Sequence, residues 1–397
     1  MENFIFRSKG PFFFFGFFFL MFDNNFEGYK IVIYSIGLLQ WLLSLLGTIL
    51  WRQEKRLKKC KCQLIIPLIF ISTFTTLSGQ KIIKSDTLFS NQAPLRIQLN
   101  YANKELNLKT NDSTFIQTQL VYFDKNQLKE LQVSLRARGN FRRKNCFFTP
   151  IKMKIKKSVS AESIFKGNTS LKIVLPCKNE RDKNDNIIKE FIAYKIYEII
   201  SPYYFKTRML QIELNNKSEK GEKNYHLKGF LIEDDDKLAK RFDGKIIERK
   251  IHPLAMDHFN SVNLSLFNYM IGNTDFSSSH RHNGKLLFYD KKIIPIPYDF
   301  DLTGWVNPSY GKGVVNRLGF ESEKRKYIGF KRDENLFEEV RNHFLSLKEK
   351  IFNEINSFKT DFDHNYEFEI MSDYLEDFYR ILENDKLFNR LIVSEAR

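Results

Sequence analysis

Residues 150–156 read Pro150-Ile-Lys-Met-Lys-Ile-Lys156. Ile151, Met153 and Ile155 share one face and Lys152, Lys154 and Lys156 the other, the period of two of a half-buried strand. Upstream, residues 95–99, 115–123 and 131–138 alternate partially in the same way, and residues 170–175 form a further strand candidate closed by Pro176. Downstream the period changes. Residues 187–200 place Phe191, Ile192, Ile196, Ile199 and Ile200 on one side of a helix, which Ser201-Pro202 stops. Residues 209–214 and 225–233 then read as two strands joined by a polar turn at 215–224, and helical spacing returns near 258–271, 336–358 and 366–388. No internal repeat is visible. The order predicts a two-lobed α+β fold, with an antiparallel sheet lobe over 81–235, a mainly helical lobe over 236–397 and a cleft between them.

A hydrophobic N-terminal region precedes this body. Residues 31–51 carry no charged side chain, enough to cross a bilayer, and the basic run 52–61 follows. A second apolar stretch at 62–79 ends in Thr-Leu-Ser-Gly-Gln, so basic residues, an apolar core and small residues succeed one another as in a secretory signal. Two readings stand. One is a membrane hairpin with an exported body, anchored through the N-terminal segments. The other is translation beginning near Leu57 with a cleavable signal, which the low-complexity phenylalanine run at 12–19 favours and which needs a start codon other than Met. Both send the body out of the cytoplasm, to the periplasm, the cell surface or the medium.

The formal charge of the 397-residue chain is +16; residues 1–80 hold nine Lys/Arg and four Asp/Glu, leaving +11 for the rest. Such a balance favours anionic partners: nucleotide phosphates, nucleic acid or a membrane surface. No zinc-finger or RNP-type motif supports nucleic acid. Cys60 and Cys62 have no matching ligand pair for zinc, whereas Cys146 and Cys177 either form one disulfide or remain separate buried thiols.

Chemistry concentrates at residues 272–301. There Gly272-Asn-Thr-Asp275 leads through His280-Arg-His-Asn283 to an apolar hairpin that exits at Tyr298-Asp-Phe-Asp301. A hairpin sets Asn283 and Asp299 at the same end of its strands. One carboxylate to steer a hydroxyl, with an amide and two carboxylates to hold a hard cation, suits phosphoryl transfer. Asp275, His280 and His282 offer zinc as an alternative, and loop aspartates capping turns are the structural one. Elsewhere, nine Lys/Arg and no acidic residue lie between Arg136 and Lys157, a phosphate cradle around Gly139 or a solvated strand edge. Glu190, on the predicted helix, is a partner for Lys152 or Lys154 or a surface carboxylate. Glu233 ends an apolar strand where the lobes would meet.

Together these stretches resemble the CotH-type family, the atypical kinases named after a spore-coat protein, over about residues 90–310. The matching features are Arg138-Gly139-Asn140 before a lysine-bearing strand and a helix after the next strand. Gly229-Phe-Leu-Ile-Glu233, Gly272-Asn-Thr-Asp275, His282-Asn283 and Tyr298-Asp299-Phe-Asp301 complete the set. The resemblance implies a kinase-like fold that uses ATP with Mg2+ or Mn2+ and transfers phosphate to protein hydroxyls. Asp275 would be catalytic, and Asn283 and Asp299, with Asp301, would be metal ligands. Arg138, Lys152 or Lys154, Glu190 and Glu233 would form the nucleotide side. Some members of the family are surface adhesins, so a non-catalytic binding protein on the same scaffold is the alternative expectation.

Overall fold

The computed structural model describes residues 86–397, apart from 126, 140, 219–220 and 313–324; the apolar segments at 31–51 and 62–79 lie outside the described residues. Seven strands come first: β1 Leu95–Asn100, β2 Ile116–Asp124, β3 Gln127–Ala137, β4 Ile151–Ile155, β5 Ser170–Val174, β6 Thr207–Ser218 and β7 Gly221–Ile232. They close into a barrel in the order β1-β2-β3-β4-β5-β7-β6. All neighbours are antiparallel except β1 and β6, which run parallel with Leu95 opposite Leu210, Ile97 opposite Ile212 and Leu99 opposite Leu214.

This closure corrects the expected two-lobed, kinase-like plan with an antiparallel sheet lobe. An open sheet would leave β1 and β6 each with an unpaired edge. Here the two edges satisfy one another, and their matching leucine and isoleucine faces fill the same interior with Leu120, Val133 and Ile173. Strands β5 and β7 approach closely enough that a Cβ on Gly229 would meet the Val174 carbonyl oxygen at 2.7 Å. The polar stretch 215–224 is also no simple turn. The β6–β7 ladder continues through it to Ser218 opposite Gly221, since polar residues at a hairpin tip pair as well as apolar ones.

The helix α1 (Lys183–Ile200) has 13 of its 18 residues buried, among them the charged Asp185, Lys189, Glu190 and Lys195. It packs Phe191 and Tyr194 against Phe230 of β7 and joins a second core. To that core the chain adds α2 (Asp235–Arg241), β8 (Lys245–Ile246), α3 (His258–Met270), β9 (Gly284–Tyr289) and β10 (Lys292–Pro297). The predicted helix at 336–358 breaks at Leu347 into α4 (Glu334–Ser346) and α5 (Lys348–Ser357), and α6 (Asn365–Glu383) follows. Strands β8–β10 form a separate three-stranded sheet, ordered β10-β9-β8. Among the described residues no helix is long and apolar enough to span a membrane.

Candidate active site

The Asp257 side chain caps α3 by accepting from the Asn260 amide at 3.0 Å, and Gly272 turns the chain out of it at φ +62°. No side chain fits there, because an added Cβ would lie 2.0 Å from the Tyr374 hydroxyl. Asn273 then accepts from the Asp275 amide at 3.0 Å while its own amide donates to Asn268 at 2.9 Å. Ser277 and His282 exchange backbone hydrogen bonds of 2.9 and 3.0 Å, folding the loop back on itself. The eight-residue interval between Asp275 and Asn283 therefore closes. Asn283 Nδ2 donates to the Asp275 carbonyl at 2.6 Å and to Oδ2 at 3.1 Å, and His282 Nε2 lies 3.0 Å from Oδ1. His280 engages other partners, with Nδ1 3.0 Å from the Ser279 hydroxyl. The two imidazoles thus turn to different partners.

Strands β9 and β10 form the expected hairpin, in the register Gly284 opposite Pro297. The Tyr298 amide donates to the Asn283 carbonyl at 3.1 Å, setting Asp299 at the mouth of the loop. Asp299 takes a left-handed φ of +69°, and its amide donates to the Tyr194 hydroxyl of α1 at 3.0 Å. A side chain other than glycine holds that conformation only where its surroundings over-determine it.

Behind Asp299 lies a buried charge cluster. Arg142, from the helical turn Phe141–Asn145, donates to the Leu175 carbonyl at 2.7 Å. Its guanidinium stands 3.5 Å from Asp301 and 3.9 Å from Glu190, and all three side chains are at most 8 % exposed. Burial pushes the Glu190 carboxyl well above its ordinary value; Arg142 opposes the shift, and Asp301 and Asp299 reinforce it. Burial likewise raises Asp301, again against Arg142. A disulfide between Cys146 and Cys177 fastens this turn to the end of β5, and the Phe147 and Phe148 amides both donate to the Cys177 carbonyl.

Neither the chain's sequence nor any part of it matches a family model or a curated protein.

The structure separates the other expected residues. Lys152 and Lys154 project outward from β4; Lys152 pairs with Asp234, and Lys154 sits 4.7 Å above the Phe115 ring. The expected pairing of Glu190 with one of these lysines is therefore replaced by Arg142, since Lys152 is taken by Asp234 and Lys154 by the Phe115 ring. Glu233 is fully buried and bonded to Arg241 at 3.0 Å, tying the end of β7 to α2. Arg138, beside Gly139 at φ +79°, lies 5.3 Å over the Tyr298 ring, one residue from Asp299. Sequence reasoning missed Lys172, whose ammonium stands 4.4 Å from the same ring and pairs with Asp235. Burial pushes it down to about 8, with Asp235 opposing. Its signal was a single charge inside the apolar run Ser-Leu-Lys-Ile-Val. Arg142 was hidden among the other cations of the basic run.

Asp275, Asp299, Asp301 and Glu190 offer oxygen donors only, the set that suits Mg2+ or Mn2+. The Glu190 Oε1 atom is buried with no hydrogen-bond partner. Asn283 spends its amide nitrogen on Asp275. Among the described residues no three His, Cys, Asp or Glu side chains are grouped to enclose an ion. The donor chemistry fits a hard cation at Asp299 and Asp301, and Asn283 acts on Asp275.

Proposed function

We propose that the protein is an exported, metal-dependent phosphotransferase that moves the γ-phosphoryl group of a nucleotide, ATP by the motif resemblance, to a protein hydroxyl. The observation that carries this reading is Asp275. It is a carboxylate whose side chain is 25 % exposed and fixed by two donors, one hairpin end away from Asp299 and the buried Asp301. In this reading the acceptor hydroxyl oxygen bonds to the γ-phosphorus as the bond to the β–γ bridging oxygen breaks. The hydroxyl proton passes to Asp275 and a nucleoside diphosphate leaves. Arg138, above Tyr298, and Lys172, on the same ring, supply positive charge for phosphate oxygens. Asp299 and Asp301 would hold Mg2+ or Mn2+, which neutralises phosphate charge when bound. Export is supported by the apolar N-terminal stretches and by the Cys146–Cys177 disulfide, a bond favoured in oxidising compartments.

The test is to incubate the purified chain with γ-labelled ATP and Mn2+ or Mg2+ beside an Asp275→Ala variant. Label transfer should fall by at least about a hundredfold in the variant while nucleotide binding persists. Asp299→Asn should instead weaken metal-dependent nucleotide binding. Equal label in wild type and Asp275→Ala would sink the reading, and no transfer by either, with the folded protein retained, would leave the non-catalytic surface binding protein.

A further inference from the structure

His280 and His282 were paired in sequence as possible zinc ligands, yet only His282 faces Asp275. Resting on the transfer reading, we propose that His282 is a positioning residue that fixes the Asp275 carboxylate for proton abstraction.

Three observations carry this. First, the two carboxylate oxygens are held by different side chains. His282 Nε2 serves Oδ1 at 3.0 Å and Asn283 Nδ2 serves Oδ2 at 3.1 Å, so rotation about the Asp275 side chain is stopped from both sides. An ionised carboxylate only accepts, which assigns the ring proton to Nε2. Second, the loop adopts costly backbone to aim this ring. Arg281 and Asn283, on either side of His282, have φ of +54° and +50°, and neither is glycine. Such conformations persist where neighbouring contacts over-determine them, and they gather at functional sites. Here the contacts are the Ser277–His282 backbone pair and the Arg281–Glu248 ion pair. Third, the contact is half open to water, with His282 33 % and Asp275 25 % exposed in their side chains. A single hydrogen bond partly open to water contributes only about 1 kcal/mol net, so the strain has small return in stability. Its return lies in geometry, since a carboxylate displaced by about 1 Å loses about a hundredfold in rate.

Two variants test the assignment. His282→Phe removes the donor while keeping a ring, and His282→Gln restores an amide donor of similar reach. Transfer from γ-labelled ATP to casein, in the presence of Mn2+, is measured at varied ATP, with thermal unfolding recorded for each protein. His282→Phe should lower kcat by about ten- to a hundredfold with KM for ATP changed less than about twofold, and His282→Gln should recover most of the loss. Wild-type kcat in His282→Phe overturns the proposal. Equal loss in both variants accompanied by raised KM and lowered melting temperature also overturns it, since that pattern describes a structural side chain. If wild type transfers and His282→Phe matches it, only this inference falls; if wild type transfers nothing, the transfer reading falls and takes this one with it.

Discussion

Arg142 sets its guanidinium between Glu190 and Asp301, and its Nη2 also donates to the Leu175 carbonyl. Removing it leaves two buried carboxylates facing each other without a cation. Arg142→Met should therefore destabilise the fold by about 3–5 kcal/mol in denaturant titration, and adding Glu190→Gln should recover part of that loss. The same cluster gives a pH signature. Glu190 and Asp301 titrate above their unfolded values, so between about pH 4 and neutrality the folded state binds more protons than the unfolded one. Stability from these two groups is present at the acidic end and lost as pH rises. Glu190→Gln should flatten that slope in melting curves recorded from pH 5 to 8; an unchanged slope would remove the cluster as its source. At this scale the sequence was legible where chemistry was local. Asp275, Asn283 and Asp299 sit on one hairpin and its loop, and strand pairing brings them together. Glu190 meets Arg142 through tertiary packing, which no spacing between residues 142 and 190 encodes.

The individual strands and helices were readable because each buries a periodic face, as β4 does with Ile151, Met153 and Ile155. Their partners were not, and the turn Phe141–Asn145 shows why. Five residues of Phe-Arg-Arg-Lys-Asn have no apolar period, and the turn is held by the Cys146–Cys177 bond and by Arg142. Replacing both cysteines with serine should cost about 3–4 kcal/mol, given a sequence separation of 31, and lower the melting temperature. At Gly229, a methyl group would press on the Val174 carbonyl and the Ile212 side chain at 2.7 Å, so Gly229→Ala should destabilise by about 1–3 kcal/mol in the same assay. A melting temperature equal to wild type would show that β5 and β7 have slack at that point.

At the scale of the whole molecule, the described residues build two large apolar cores, one inside the barrel and one around α1. The barrel strands were predicted as an antiparallel sheet lobe, and the closed mixed barrel overturns that. A parallel contact between strands so distant in sequence leaves no mark on either strand's pattern, since Leu95, Ile97 and Leu99 suit an antiparallel neighbour equally well. Ile97→Asp would set a carboxylate in that interior opposite Ile212 and should abolish cooperative unfolding of the barrel, read by near-ultraviolet circular dichroism.

The β1–β6 seam also orders events in time. On a growing chain β1 is made first, its partner β6 is the sixth barrel strand, and β6 reaches β5 only through β7, so no ribosome-bound fragment lacking β7 can complete the ring. During that interval the nascent strand exposes one bare edge and an oily face to whatever else is nearby, another copy included. Vectorial synthesis thus makes the interval before β7 emerges the moment of greatest aggregation hazard for the barrel.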